Sequence, residues 1–391
     1  MSDPSARRPD LDGLRIICIL LLHLYHSARM FNVNDPWHVK APQLLAALNG
    51  PMDLLHMVRM PLLMLIAGMA TAFALRRRSV GAFAWDRVKR LLLPLVFGML
   101  VIVPPQVWVE WVWKGQYAGS YIAFWPSVLR GVPYPKGSLS WHHLWFVAYL
   151  FVFCMLALPL FGWFRSASGA RLLGRTEAFL ARVANLWWLA VPIMLGRFLL
   201  RNHPETHDLV RDPKNLAFYG GLFLAGHLMG LLPSLGERVK ALRHWHLGLA
   251  LATLAGVYLG DKLPVPLRYL TFYTAIWASL CAALGYGHAH ITRSTPLLHH
   301  AQALAYPFYI FHQSVIVVLC WWMLRFHLPP WTFFGLLTLA SFLATWGLCE
   351  TVARIGWLRP CLGMGPRKPP SHPAETRPDA RLGAILSDEA H

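Results

Sequence analysis

Acidic residues are scarce in this chain. It has 18 Asp and Glu against 36 Lys and Arg in 391 residues, and charged residues of both signs make up only 14%. Soluble globular domains average about 25% charged residues, which argues against an ordinary water-soluble fold. Cysteine is sparse as well, with six in all and no CxxC pair, so neither a zinc ribbon nor a disulfide framework is supported. Cys18, Cys154, Cys281, Cys320 and Cys349 fall within apolar stretches, with Cys361 just after the last one, and read as small packing residues. GxSxG, P-loop, HExxH and GxGxxG motifs are missing. The hydrolase, nucleotide-hydrolysing, zincin and dinucleotide-binding templates therefore have no support.

What is present is apolar. Hydrophobic residues make up 56% of the chain, 18 residues are Trp, and the mean hydropathy is +0.43. Long apolar stretches recur from end to end, which predicts an all-α, polytopic helical membrane bundle. About ten spans are expected, roughly 11–30, 52–75, 91–113, 142–164, 184–200, 215–233, 245–260, 267–287, 301–324 and 331–356. The first is long enough to span rather than to serve as a cleaved leader. With the N-terminus inside, about 21 Lys and Arg fall in cytoplasmic segments against about 9 opposite, the positive-inside pattern. Both termini are thus expected in the cytoplasm, and the net charge of +18 reads as topology rather than as a nucleic-acid surface. The expected organisation is a cytoplasmic segment over 1–10, a transmembrane domain over 11–362 and a polar, Pro-rich disordered tail over 363–391. The aromatic 114–140 loop is expected on the outer side, at the membrane surface or a cavity mouth. No inverted repeat of the transporter kind is visible.

Ionisable residues inside spans are costly and usually mark function. Arg15 and His26 are eleven residues apart in the first span, so they share a helical face about 16 Å apart. That places a cation near one surface and a titratable imidazole near the midplane. Arg15 can equally snorkel, with His26 packed on a neighbouring helix. His23 lies about 60° around the helix from His26 and is a weaker candidate for the same cavity. His23 and His26 could share a metal, but no acidic or thiol ligands accompany them, so no metal is expected. Arg87 and Arg90, three apart where an inner loop meets the third span, can grip one polyanion or act as topology anchors. His56 and Arg59 occupy the outer half of span two. Trp141-His-His143-Leu-Trp145-Phe146 opens span four, and Tyr306-Pro-Phe-Tyr309-Ile-Phe-His312 places an imidazole and two phenols in span nine. Glu350, in span ten, is either a functional carboxylate or the partner of Arg354 four residues on.

Together these pieces resemble the membrane acyltransferase 3 family. Arg15-(ten residues)-His26 is similar to its signature in the first span, and Arg87-Val-Lys-Arg90 to its Arg-x-x-Arg motif at the third. His143-Leu-Trp-Phe146, Tyr309-Ile-Phe-His312 and Glu350 follow in the same order. The resemblance covers about residues 10–363. It implies O-acyl transfer from cytoplasmic acyl-CoA, a co-substrate rather than a permanent cofactor, to a hydroxyl of an envelope glycan or lipid-linked acceptor. His26 would be the catalytic base or acyl carrier, with Arg15 and Glu350 in the catalytic set. Arg87 and Arg90 would hold the coenzyme. His23, His56, Arg59, His143, Trp145, Tyr309 and His312 would line or support the acceptor cavity. The implied home is a bacterial inner (cytoplasmic) membrane, with membrane lipid the surrounding and nucleic acid no partner. The rival class is a transporter or flippase of a glycan or lipid precursor, with the same residues as relay or gating groups.

Overall fold

The computed structural model describes residues 8–183, 187–258 and 263–365, side chains 181–183 excepted. The expected all-α architecture holds: among the described residues the only extended pairing is an isolated bridge between Pro133 and Leu139. Most of the expected tail, 366–391, and positions 1–7 of the N-terminal segment lie outside the described residues. The helices of seven or more residues are α1 Pro9–Ala28, α2 Asn49–Leu75, α3 Val80–Trp113, α4 Trp145–Leu156 and α5 Leu158–Phe164. Then come α6 Ala167–Val183, α7 Trp187–Leu199, α8 Pro213–Leu231 and α9 Pro233–Ala241. The last four are α10 Arg243–Tyr258, α11 Val265–His290, α12 Pro296–Met323 and α13 Pro330–Arg354.

Six of these (α1, α2, α3, α11, α12 and α13) are long and apolar enough to cross a bilayer. The span expected over 142–164 is broken: α4 and α5 meet at 49°, where Pro159 can donate no hydrogen bond to the preceding turn. The span expected over 215–233 ends as α8 turns by 101° into α9, again at a proline, Pro233. Counting each bent pair as one span gives eight. The stretches 184–200 and 245–260 contain α7 and α10, of 13 and 16 residues, shorter than the roughly 20 a bilayer core needs. The described residues thus hold six to eight candidate spans, against the ten expected.

Helix α1 runs through the bundle, packed against α2, α11, α12 and α13. Its first turn is tied by charge. Arg8 meets Asp10 at 2.7 Å, and His288 on α11 bridges Asp10 and Glu237 on α9, at 3.0 Å each. Helices α2 and α8 touch backbone to backbone. A Cβ on Gly68 would lie 2.0 Å from Phe223 O, and one on Gly226 2.0 Å from Leu65 O, so only glycine permits this approach. Beside that contact, Thr71 and His227 hydrogen-bond at 2.7 Å.

Helix α3 carries two π-turns, Val88–Leu92 and Gly98–Ile102, each shortly before a proline. Prolines remove ladder donors and leave carbonyls to be met from elsewhere. Pro104 would have donated to Leu100 O; the Trp125 indole does so instead at 2.8 Å. The Ser314 hydroxyl from α12 donates to Ile102 O at 2.5 Å. The second π-turn thereby joins α3 to α12 beside the cavity described next.

Candidate active site

A cavity of about 640 Å³ opens where the C-terminus of α1 meets the N-terminus of α2; this is called the cavity face below. The last turns of α1 and the first of α2 supply one wall, with His26, His56 and Arg59. The ends of α3 and α4 supply another, with Glu110, His142, His143 and Trp145. Trp37, His38, Tyr134 and His207 reach in from loops, and Tyr309 and Gln313 from α12.

His26 is the third residue from the end of α1, about 25 Å along the helix from Pro9. The ring lies in the cavity wall. The ring is 8% exposed and stacks on Trp37 at 5.4 Å, with His312 at 5.2 Å. Its Nδ1 is buried without a protein partner. His312 Nδ1 meets Tyr309 O at 2.6 Å. A carbonyl only accepts, so this nitrogen carries the proton and Nε2, unpartnered, keeps the lone pair. By the same logic His143 donates from Nε2 to Ile310 O at 3.0 Å. The two rings meet edge to face at 5.3 Å. Two sequence motifs far apart in the chain, at 143 and 312, thus converge behind His26.

Arg59 lies with its guanidinium 3.4 Å over the Tyr25 ring. It is 3% exposed, and its Nε and one Nη have no protein acceptor. His56 stacks on the other reach of Tyr25 at 5.9 Å. Trp145 packs against His207 at 4.5 Å and Tyr219 at 5.1 Å. Burial lowers the pKa of the His207 imidazole, with Asp212 and Glu205 opposing. In the 29–45 loop, Lys40 Nζ donates to Arg29 O and to Asn32 Oδ1 at 2.9 Å each. Burial, then the neighbouring Arg29, brings its pKa down to about 8.

Other expected members lie elsewhere. His23 faces α13, meeting Thr338 O at 3.1 Å and Ser341 Oγ at 3.2 Å, and does not line the cavity. The 60° turn from His26 is enough to aim it at another helix, although it stays 6.3 Å from His312. Arg15 is in the early turns of α1 at 3.4 Å from Asp12, and the structure does not bring it to His26. Glu350 pairs with His300 at 2.6 Å, not with Arg354, and it too lies outside the cavity. Arg87 and Arg90 sit on the opposite end of α3 from Glu110. Both contact Asp86, as does Arg78 at 2.9 Å. One carboxylate thus gathers three guanidiniums and leaves a net positive cluster. Arg87 is the more buried of the two, its side chain 19% exposed against 47% for Arg90.

Sequence reasoning missed His38, Glu110 and His142, which meet in the cavity wall. His38 Nδ1 contacts Glu110 Oε2, and Tyr134 donates to Glu110 Oε1 at 2.7 Å. The available signal was Glu110 itself, the only acidic residue between 87 and 176, buried to 3% exposure.

A helical membrane protein that encloses buried imidazoles and an arginine in a cavity, with a basic cluster at the far end of one wall, has the parts of a transferase working within a bilayer. Residues 8–350 match an acyltransferase domain, and the chain belongs to the acyltransferase 3 family. It is a membrane acyl-transferring enzyme. No curated protein and no solved structure matches it.

Proposed function

We propose that the enzyme moves an acyl group, succinyl or acetyl, from acyl-CoA to a hydroxyl of an envelope glycan such as a periplasmic glucan. The setting is a bacterial inner membrane, with both termini cytoplasmic and the cavity face outward. The observation that carries the reading is His26, a buried imidazole with an unpartnered nitrogen in the wall of a 640 Å³ cavity. An imidazole is the side chain best suited to take a proton near neutral pH. His26 takes the acceptor's hydroxyl proton as the oxygen attacks the thioester carbonyl. The carbon–sulfur bond breaks, and the coenzyme sulfur leaves with a proton. Arg59 faces the negative charge that develops on the carbonyl oxygen.

The coenzyme's phosphates bind at the Arg78–Arg87–Arg90 cluster, where guanidinium forks suit polyanions. A polar stripe on α12 supports a route inward. The Tyr306 ring and the Arg90 backbone carbonyl both flank Gly363, and the rings of Tyr306, Tyr309, His312 and His26 follow at 6.3, 5.9 and 5.2 Å. The glucan acceptor is suggested by likeness to glucans biosynthesis protein C, a succinyltransferase. That likeness rests on Leu11-Asp-Gly-Leu-Arg15, Trp37-His-Val, His56-x-x-Arg59-Met, Arg87-Val-x-Arg90 and Glu350-x-x-x-Arg354-Ile. Purified protein incubated with radiolabelled acetyl- and succinyl-CoA and with glucan tests it. Thioester consumption with label on the glycan is expected. Glycan movement across proteoliposomes without thioester turnover would make it a transporter instead.

A further inference from the structure

We propose that His38, Glu110 and His142 form a binding site for one divalent transition-metal ion of the zinc type. Among the described residues they are the one group of three whose ligand atoms all lie within 4.8 Å of one another. Two histidines and a carboxylate with a fourth position open to a cavity are a zinc donor set. Tetrahedral bonds of about 2.0–2.1 Å place ligand atoms roughly 3.3 Å apart, so a shift of about 1.5 Å at most closes the site.

Each donor is held from behind, as metal ligands characteristically are. His142 Nδ1 is bonded to Ser140 Oγ at 2.8 Å, while its Nε2 is buried without a partner. The Ser140 hydroxyl also accepts from the His142 N–H at 3.1 Å. That double hold keeps His142 at φ +39°, a left-handed conformation that costs a non-glycine residue and clusters at functional sites. His38 Nε2 lies 3.3 Å from the Gln313 side-chain amide; turning that amide over brings its otherwise unpartnered Oε1 to face an Nε2–H. Glu110 gives Oε1 to Tyr134 and Lys114, leaving Oε2 toward His38 Nδ1. The ion takes the place of the proton between that nitrogen and that oxygen, and the displaced proton passes to His38 Nε2, where the turned Gln313 amide accepts it, so the imidazole stays neutral. Lys114 is the opposing charge, half-exposed at the rim. The site lies beside Trp37, whose ring is 4.9 Å from His38 and 5.4 Å from His26.

The test uses full-length protein purified in detergent without a histidine tag and stripped with chelator. Zn²⁺ is titrated against a chromophoric competitor, and Co²⁺ is added separately for its absorption spectrum. One tight equivalent of Zn²⁺ and a tetrahedral Co²⁺ spectrum are expected. Glu110→Gln and His142→Ala should each lose that equivalent, and Ser140→Ala should weaken it about 10- to 100-fold. Lys114→Met should tighten it. Glu110→Gln keeps the carboxamide in place, and its elution as a monodisperse particle reports that the fold survives. Weak, non-stoichiometric uptake, or one equivalent that survives Glu110→Gln and His142→Ala together, overturns the proposal. The readout is binding, so it stands or falls apart from acyl transfer.

Discussion

Arg59→Met separates function from stability most sharply. Two of the arginine's nitrogens are buried without a protein acceptor, and each such group costs about 1–3 kcal/mol. Placement over Tyr25 at 3.4 Å returns about 2 kcal/mol. The methionine keeps most of the packed stem and removes the charge. The balance is a variant as stable as the parent or more stable, by about 0–4 kcal/mol. Transfer should fall on the order of 100- to 1000-fold, the usual loss when a donor facing a developing oxyanion is removed. The assay is thermal unfolding in detergent followed by tryptophan fluorescence, run beside label transfer from acyl-CoA. A clearly lower midpoint with transfer retained would refute the reasoning and make Arg59 a structural residue.

Three further outcomes follow from the geometry. Gly226→Ala should lower the unfolding midpoint, since its Cβ would meet Leu65 O at 2.0 Å; overpacking of this kind costs about 1–3 kcal/mol or more, and an unchanged midpoint would contradict the close contact of α2 and α8. Arg87→Ala with Arg90→Ala should weaken acyl-CoA binding by about 10- to 100-fold, the equivalent of about 1.5–3 kcal/mol for a charge-assisted contact, measured by equilibrium binding to purified protein. Glu205 lies in the 201–212 loop at 2.7 Å from Lys214 and 2.6 Å from Arg197. Burial raises its pKa, but the Lys214 hydrogen bond and the Arg197 charge outweigh that and hold it below the ordinary value of 4.5. A carboxyl whose folded pKa is depressed contributes stability above its unfolded pKa and loses it as pH falls through the folded one. The unfolding midpoint should therefore drop on the acid side of about pH 4.5, and Glu205→Gln should flatten that drop.

Much of this was legible because a bilayer imposes simple rules. Apolar length located α1, α2, α11, α12 and α13 within a few residues, and buried ionisable groups pointed to His26, His143 and His312. Length alone failed where prolines act. Pro159 and Pro233 broke two expected spans, and a π-turn over Val88–Leu92 falls within the Arg87–Arg90 motif. His23 and His26 differ by one 60° step, which a helical wheel reads as a shared cavity and the packing of α13 resolves otherwise. His38 lies in a loop and His142 opens a short 3-10 turn, so no periodicity marks them. Their meeting with Glu110 depends on loop paths that pattern does not encode. Glu350 met His300, a partner 50 residues away rather than on its own helix.

The central claim is that chemistry takes place at His26. The most direct measurement compares label transfer by His26→Ala, His23→Ala and His312→Ala at matched membrane levels, with acyl-CoA binding measured on each purified protein. The account predicts that His26→Ala loses transfer by several orders of magnitude while coenzyme still binds, that His312→Ala is impaired and that His23→Ala stays near the parent. Near-parental transfer by His26→Ala, with either of the others dead, would contradict it.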